Sequence, residues 1–188
     1  PLGRKIGFTN RGLWDAYGVY APIWGFMYDT TVVPVSPGDT VSVSGLSEPL
    51  IEPEVVLGLR RGLRAGMGLD EVAEAIDWVA HGFEIVQSIF PGWKITAADC
   101  IANGAMHARL AVGPRRHLSD TERATLAGDL SALRVTLLRD GEALDEGSGA
   151  NVLDGPLQAL AHLVDVLAAD PFNPSLAAGE IVTTGSMT

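Results

Sequence analysis

Two glutamates stand two residues apart inside an apolar run, Leu50–Leu59, "LIEPEVVLGL". Residues at that spacing on a strand point to the same face, so Glu52 and Glu54 project side by side. Two neighbouring carboxylates repel each other unless a proton or a cation separates them. Pro53 between them removes a backbone donor, which suits an edge strand or a bulge. The plainest reading of an isolated E-x-E is a solvated edge whose charges resist aggregation. The apolar residues that follow, Val55, Val56, Leu57 and Leu59, carry the strand into a core instead. A hard divalent cation, Mg2+ or Mn2+, prefers carboxylate oxygens and keeps positions open for substrate. Such a site calls for a third acid. Glu84, in "HGFEIVQSIF" between Phe83 and Ile85, is the candidate, because an acid in so apolar a setting is either paired or functional. Lys5 and Lys94 are the only lysines of the chain. Lysines usually snorkel at the surface, but a buried or charge-paired lysine can be tuned for proton transfer.

These residues need a scaffold. The chain has 188 residues, 47% of them hydrophobic, enough for one domain with a sizeable core. Its net charge of −10 argues against nucleic acid or an anionic membrane as partner. No apolar stretch approaches the roughly 20 residues of a membrane helix, and "PLGRKIGF" lacks the apolar core of a signal peptide. Cys100 is the single cysteine, which excludes an internal disulfide, fits the cytoplasm and reads as buried and inert.

"PVSPGDTVSVSG" (Pro34–Gly45) predicts a loop and then a short strand alternating around Val41 and Val43. From Asp70, "DEVAEAIDWVAHGF" places Val72, Ile76, Val79 and Phe83 at helical spacing. "SDTE" (Ser119–Glu122) is a capping box that predicts a short helix ending near Gly128. Leu133–Gly149 predicts a hairpin turning at Asp140–Gly141, and Gly155–Ala169 an amphipathic helix. A turn and a strand close the sequence in "AGEIVTTGSMT". Strands and helices do not alternate regularly, and no G-x-G-x-x-G follows a strand, so a doubly wound dinucleotide fold is not expected.

"KIGFTN", "EPEVVLG", "AIDWVAHGFEIVQS", "WKITAAD" and "AGEIVTTGSMT" occur in that order. Together they resemble the 2-keto-4-pentenoate hydratase and 4-oxalocrotonate decarboxylase family of the fumarylacetoacetate hydrolase superfamily. The resemblance implies an α+β fold, a mixed β-roll with peripheral helices, spanning 1–188 as a single catalytic domain that lacks the N- and C-terminal parts of full-length members. It implies Glu52, Glu54 and Glu84 as ligands of Mg2+ or Mn2+. Lys5 and Lys94 match the family's lysines and would serve as catalytic residues. Thr184, Gly185 and Ser186 match the turn that closes on the substrate's carboxylate end, with Asp99 and His107 added as substrate-binding candidates.

The implied activity is a metal-dependent hydratase that adds water to a 2-hydroxy-2,4-dienoate (a 2-oxo-4-enoate) and yields a 4-hydroxy-2-oxo acid. A 4-oxalocrotonate-type decarboxylase, an acylpyruvate C–C hydrolase and a non-catalytic supporting subunit stand as alternatives. The partners implied are a small 2-oxo or 2-hydroxy dienoic acid, a homo-oligomer and a complex with a pathway enzyme, in a cytoplasmic setting of aromatic compound catabolism. One run departs from the family pattern. Members carry an A-D-N-x-S-like segment after "WKI", where this chain has "IANGAMH" (Ile101–His107). His107 there is a polar pocket residue or a structural histidine bonded to backbone.

Overall fold

Ten strands and five α-helices follow one another in the computed structural model, which describes residues 1–188. They are β1 (Gly3–Gly7), α1 (Trp14–Tyr17), β2 (Ile23–Met27), β3 (Val32–Pro34), β4 (Leu50–Leu59), α2 (Leu69–Glu74), β5 (Ile76–Val86), α3 (Ala97–Ala102), β6 (His107–Val112), β7 (Arg116–His117), α4 (Asp120–Ala132), β8 (Arg134–Arg139), β9 (Glu142–Ser148), α5 (Pro156–Ala168) and β10 (Ile181–Ser186). One mixed sheet runs in the order β2-β1-β10-β4-β5-β6-β3, and β7 pairs with β5. The β1–β10 and β3–β6 pairs are parallel and the others antiparallel. β8 and β9 form a separate hairpin.

β4 and β5 lie at the centre of this sheet, and their side chains alternate between two cores. Val55, Leu57 and Leu59 face a large cluster built with α2, α4 and α5. Val56 faces a smaller cluster with Met27, Trp78, Ala80, Leu110 and Val112. Met27 on β2 and Leu110 on β6 meet in that cluster although their strands lie towards opposite ends of the sheet order. The sheet therefore curls on itself, and Glu52 and Glu54 share the inward face with Val56. α5 closes the outer side with Leu157, Leu160, Leu163 and Leu167 all buried. Each such side chain contributes about 1.5–3 kcal/mol by burial. No helix is long and apolar enough to cross a membrane.

Three elements differ from the sequence expectation. The helix from Asp70 stops at Glu74, and Ile76–Val86 is instead the eleven-residue strand β5. The spacing of Val72, Ile76, Val79 and Phe83 fits a helix, but the stretch from Ile76 is rich in β-branched and aromatic residues, which fit a strand buried between neighbours. Val41 and Val43 form no strand. That segment closes local turns instead: the Ser36 N–H donates to Asp39 at 2.7 Å and the Ser44 N–H to the Ser42 hydroxyl at 3.2 Å. α4 opens at the Ser119 capping box but continues past Gly128 to Ala132, which buries Leu130 beside Leu126. The hairpin turn, α5 and the closing strand fall within a residue or so of expectation.

Candidate metal centre and its cavity

β4 is flanked by β10 and β5, so Pro53 occupies a central strand. The irregularity its missing donor called for lies in the partner. The β4–β10 register runs from Val56↔Thr183 to Glu54↔Ser186, with a bulge between Thr183 and Ser186. Gly185 sits in the bulge with φ 106°, and a Cβ there would stand 1.9 Å from the Thr9 hydroxyl oxygen. Only glycine fits that turn. The bulge turns the Gly185 N–H inward to donate to Glu54 Oε2 at 2.8 Å. On the other side of β4, Glu52 lies directly opposite Glu84 of β5.

Ligand-type oxygens of Glu52, Glu54 and Glu84 all lie within 4.8 Å of one another. Glu54 and Glu84 are fully buried, and Glu52 is partly exposed. Each buried carboxylate is divided in its duties. Glu54 has Oε2 held by Gly185 and leaves Oε1 without a partner. Glu84 has Oε1 held by His107 Nδ1 at 2.7 Å and leaves Oε2 without an aligned hydrogen bond. Lys5 Nζ lies 3.0 Å from that Oε2, as a neighbouring charge. Glu54 Oε1, which has no partner, and Glu84 Oε2, which meets only the Lys5 ammonium, form with the third carboxylate a set of hard anionic ligands that fits a divalent cation.

Electrostatics lead to the same conclusion. Burial raises the Glu54 carboxyl well above its ordinary value, and the charges of Glu84 and Glu52 raise it further. Burial raises Glu52 as well, with Lys5 opposing. For Glu84 burial is overridden by Lys5 and His107, which hold it below the ordinary range. Burial alone would lower Lys5, but Glu84, Glu52 and Glu54 together push it upward. The three acids thus cannot all ionise comfortably around one buried ammonium, which is the condition a divalent cation relieves.

Lys5, which is 3% exposed, donates to the Ala105 carbonyl at 2.9 Å. That carbonyl is delivered by a tight turn in which Ala105 and Met106 both have positive φ, 58° and 64°. Such backbone costs about 1–3 kcal/mol per residue and is kept where the surroundings impose it. Beside the acids lies a cavity of about 140 Å3. Lys5, Glu52, Gly185, Ser186, Thr188 and Asn10 give it polar walls, and Phe8, Leu13, Tyr17, Ile23, Val86, Trp93, Ile95 and Met106 apolar ones.

The structure brings together Lys5, Glu52, Glu54, Glu84, Gly185 and Ser186. Thr184 is adjacent but buried, and its hydroxyl donates to the Val55 carbonyl at 3.3 Å. Lys94 and Asp99 stand apart. Lys94 is exposed, makes no ion pair and does not line the cavity. The Asp99 carboxylate accepts from the Thr96 N–H and hydroxyl at the start of α3, and these bonds hold it below the usual carboxylate range. His107 bonds side chains, Glu84 and Thr31, and is not part of the cavity wall. Of the aromatic residues after the K-I-G run, Tyr17 faces the cavity, whereas Trp24 packs on Arg4 and Tyr20 is exposed. Cys100 is buried at the cavity edge, and burial raises its thiol. Sequence reasoning did not single out Thr31 and the Ala105 carbonyl. Asn103–Gly104 marks a turn there, but nothing in the sequence says which carbonyl it presents.

No protein-family model matches the chain. Individual proteins do. It is 32% identical over 187 residues to a 2-hydroxyhexa-2,4-dienoate hydratase of Comamonas testosteroni, covering 99% of this chain and 68% of that protein. It is 31% identical over 187 residues to a 2-keto-4-pentenoate hydratase of Burkholderia vietnamiensis, with 99% and 68% covered. The structure of a 4-oxalocrotonate decarboxylase from Pseudomonas putida G7, complexed with magnesium and adipate, superposes with a TM-score of 0.84 at 31% identity, over 99% of this chain and 67% of that one. The chain belongs to the 2-keto-4-pentenoate hydratase and 4-oxalocrotonate decarboxylase family. Its curled mixed sheet with peripheral helices is the fumarylacetoacetate hydrolase fold, α+β in class.

Proposed function

We propose that this protein is a divalent-metal-dependent hydro-lyase. In this reading it adds water to a 2-hydroxy-2,4-dienoate with an uncharged side chain and yields a 4-hydroxy-2-oxo acid. The observation that carries it is the set of three converging carboxylates, two of them buried with an open oxygen, at the edge of a largely apolar cavity. Glu52, Glu54 and Glu84 would hold Mg2+ or Mn2+, which supplies a Lewis acid for the C1 carboxylate and C2 oxygen of a 2-oxo acid.

The chain's own residues do the rest. Lys5 presents a fixed cation to the cavity, tied by Glu84 and the Ala105 carbonyl, and can stabilise charge that develops on the substrate's oxygens. Ser186 and Thr188 offer hydroxyls for the carboxylate end. Phe8, Ile23, Ile95 and Met106 exclude bulk water from the diene and position it. Lys94, exposed and outside the cavity, is not needed for this chemistry.

A 4-oxalocrotonate-type decarboxylase is the second reading on this scaffold. Its substrate carries a further carboxylate at the far end, and Lys5 is the only cationic side chain lining this cavity. A second anion would be desolvated there without a partner, so hydration of an uncharged dienoate leads. An acylpyruvate hydrolase would need a base facing the cavity, and no histidine lines it. The reading also takes 1–188 as one catalytic domain, working as a homo-oligomer in the cytoplasm alongside a pathway enzyme.

Turnover of 2-hydroxypenta-2,4-dienoate, followed by loss of its ultraviolet absorbance, is the test. Mg2+- or Mn2+-dependent formation of 4-hydroxy-2-oxopentanoate, with kcat/KM at least tenfold above that for 4-oxalocrotonate, is expected. Faster loss of carbon dioxide from 4-oxalocrotonate would transfer the assignment to the decarboxylase. Metal binding without either turnover would favour a supporting subunit.

A further inference from the structure

The two buried acids are held differently. Glu54 is fixed by a backbone N–H, and Glu84 by a side chain, His107, whose Nδ1 lies 2.7 Å from Oε1. The other ring nitrogen of His107, Nε2, lies 2.9 Å from the Thr31 hydroxyl. Thr31 is itself fixed in the turn between β2 and β3. Its Oγ1 accepts from the Tyr28 N–H at 3.2 Å and lies 3.1 Å from the Tyr28 carbonyl, while its own carbonyl accepts from the Leu110 N–H at 2.8 Å. The His107 side chain is 4% exposed, so both nitrogens are committed and neither faces the cavity.

We infer that His107 is a positioning residue for the metal centre, which holds Oε1 of Glu84 so that only Oε2 is offered to the cation, while Thr31 holds the ring. This rests on the metal-centre reading above and deepens it. A carboxylate free to turn about its terminal bond alternates between offering one oxygen and two. A donor on one oxygen fixes its plane and leaves a defined acceptor. In the familiar outer-sphere arrangement a carboxylate orients a ligating histidine; here the roles are exchanged, with histidine orienting a ligating carboxylate. Without His107, Oε1 would be a buried charged oxygen lacking any donor, and Glu84 would be free to turn both oxygens towards Lys5.

Mn2+ affinity of the full-length protein, measured by electron paramagnetic resonance well below the melting temperature, tests this. Outer partners of metal ligands typically contribute 10–100-fold, so His107→Ala is expected to weaken Mn2+ binding by about that factor. His107→Asn, whose amide nitrogen can take the place of Nδ1, should recover most of it. Thr31→Val should weaken binding in the same direction by less, and Thr31→Ser should not. A histidine with only a structural role would lower the melting temperature and leave Mn2+ affinity of the folded protein within about twofold, and that result overturns the inference. Should His107→Ala fail to fold, the contrast of Thr31→Val with Thr31→Ser carries the same test. Because the readout is binding, a protein that binds Mn2+ but hydrates nothing removes the proposed reaction and leaves the role of His107 standing. A wild type that binds no Mn2+ overturns both.

Discussion

Gly185 shows how a single backbone position can serve a buried charge. Its φ of 106° lies in glycine's territory, the space a Cβ would need is filled by Thr9, and its N–H is the one donor on Glu54. Gly185→Ala should therefore act twice. The positive φ alone costs about 1–3 kcal/mol, read as a lower melting temperature. Displacement of the N–H should also weaken Mn2+ binding at temperatures where the variant is fully folded. Loss of stability with unchanged Mn2+ affinity would show that the bulge supports the fold and not the site. Among the candidate site residues, spacing put Glu52 and Glu54 on one face, the apolar run from Val55 to Leu59 turned that face from a solvated edge to a core, and Glu84 stood out by its apolar neighbours. Lys5 drew notice through scarcity, but so did Lys94, which the fold leaves in solvent. A count of lysines cannot distinguish the one that a strand buries against three acids from one at a surface turn. The pairing of His107 with Glu84 spans 23 positions and depends on β6 lying beside β5, which no local signal declares.

At the level of elements, end signals were more legible than periodicity. The Ser119–Glu122 box places the start of α4 correctly: the Ser119 N–H and hydroxyl both donate to Glu122 Oε2, at 2.8 and 2.7 Å. These bonds to Ser119, with Arg116 beyond them, hold the Glu122 carboxyl below its ordinary value of 4.5. A depressed carboxylate contributes stability that is present above its unfolded value and lost as pH falls through the folded one. The melting temperature should therefore fall below pH 4.5 by more in the wild type than in Glu122→Gln. Parallel melting curves for the two proteins from pH 6 to pH 3 check this, and curves that never converge towards acid would remove the cap as a pH-dependent support. Periodicity failed at β5 because a strand covered over most of both faces is largely apolar, and a run so rich in apolar residues contains some at helical spacing. The same difficulty appears in reverse at Val41 and Val43, where alternation was real but no neighbouring strand was there to pair with it.

The whole molecule concentrates its unfavourable charge in one place. Strands β1, β10, β4, β5 and β6 run side by side, and they bring Lys5, Glu54, Glu52, Glu84 and His107 together from positions up to about a hundred residues apart. The unfolded chain keeps Glu84 far from the E-x-E pair, so a cation that needs all three binds the folded state alone. Such binding stabilises by about 2.7 kcal/mol at a hundredfold excess over Kd. For a chain of this size that corresponds to a rise in melting temperature of roughly 5–11 °C, which a chelator should reverse. Glu54→Gln separates this linkage from ordinary packing. With one buried charge neutralised and the amide still of the right size, the metal-free variant should melt at or above the metal-free wild type, because like-charge repulsion among the acids is reduced. The increment from Mg2+ or Mn2+ should then largely vanish. A variant that is less stable without metal but keeps the full increment would mean that the cation is held elsewhere. The opposite pattern would show that the fold tolerates three converging acids at its centre because a cation completes them.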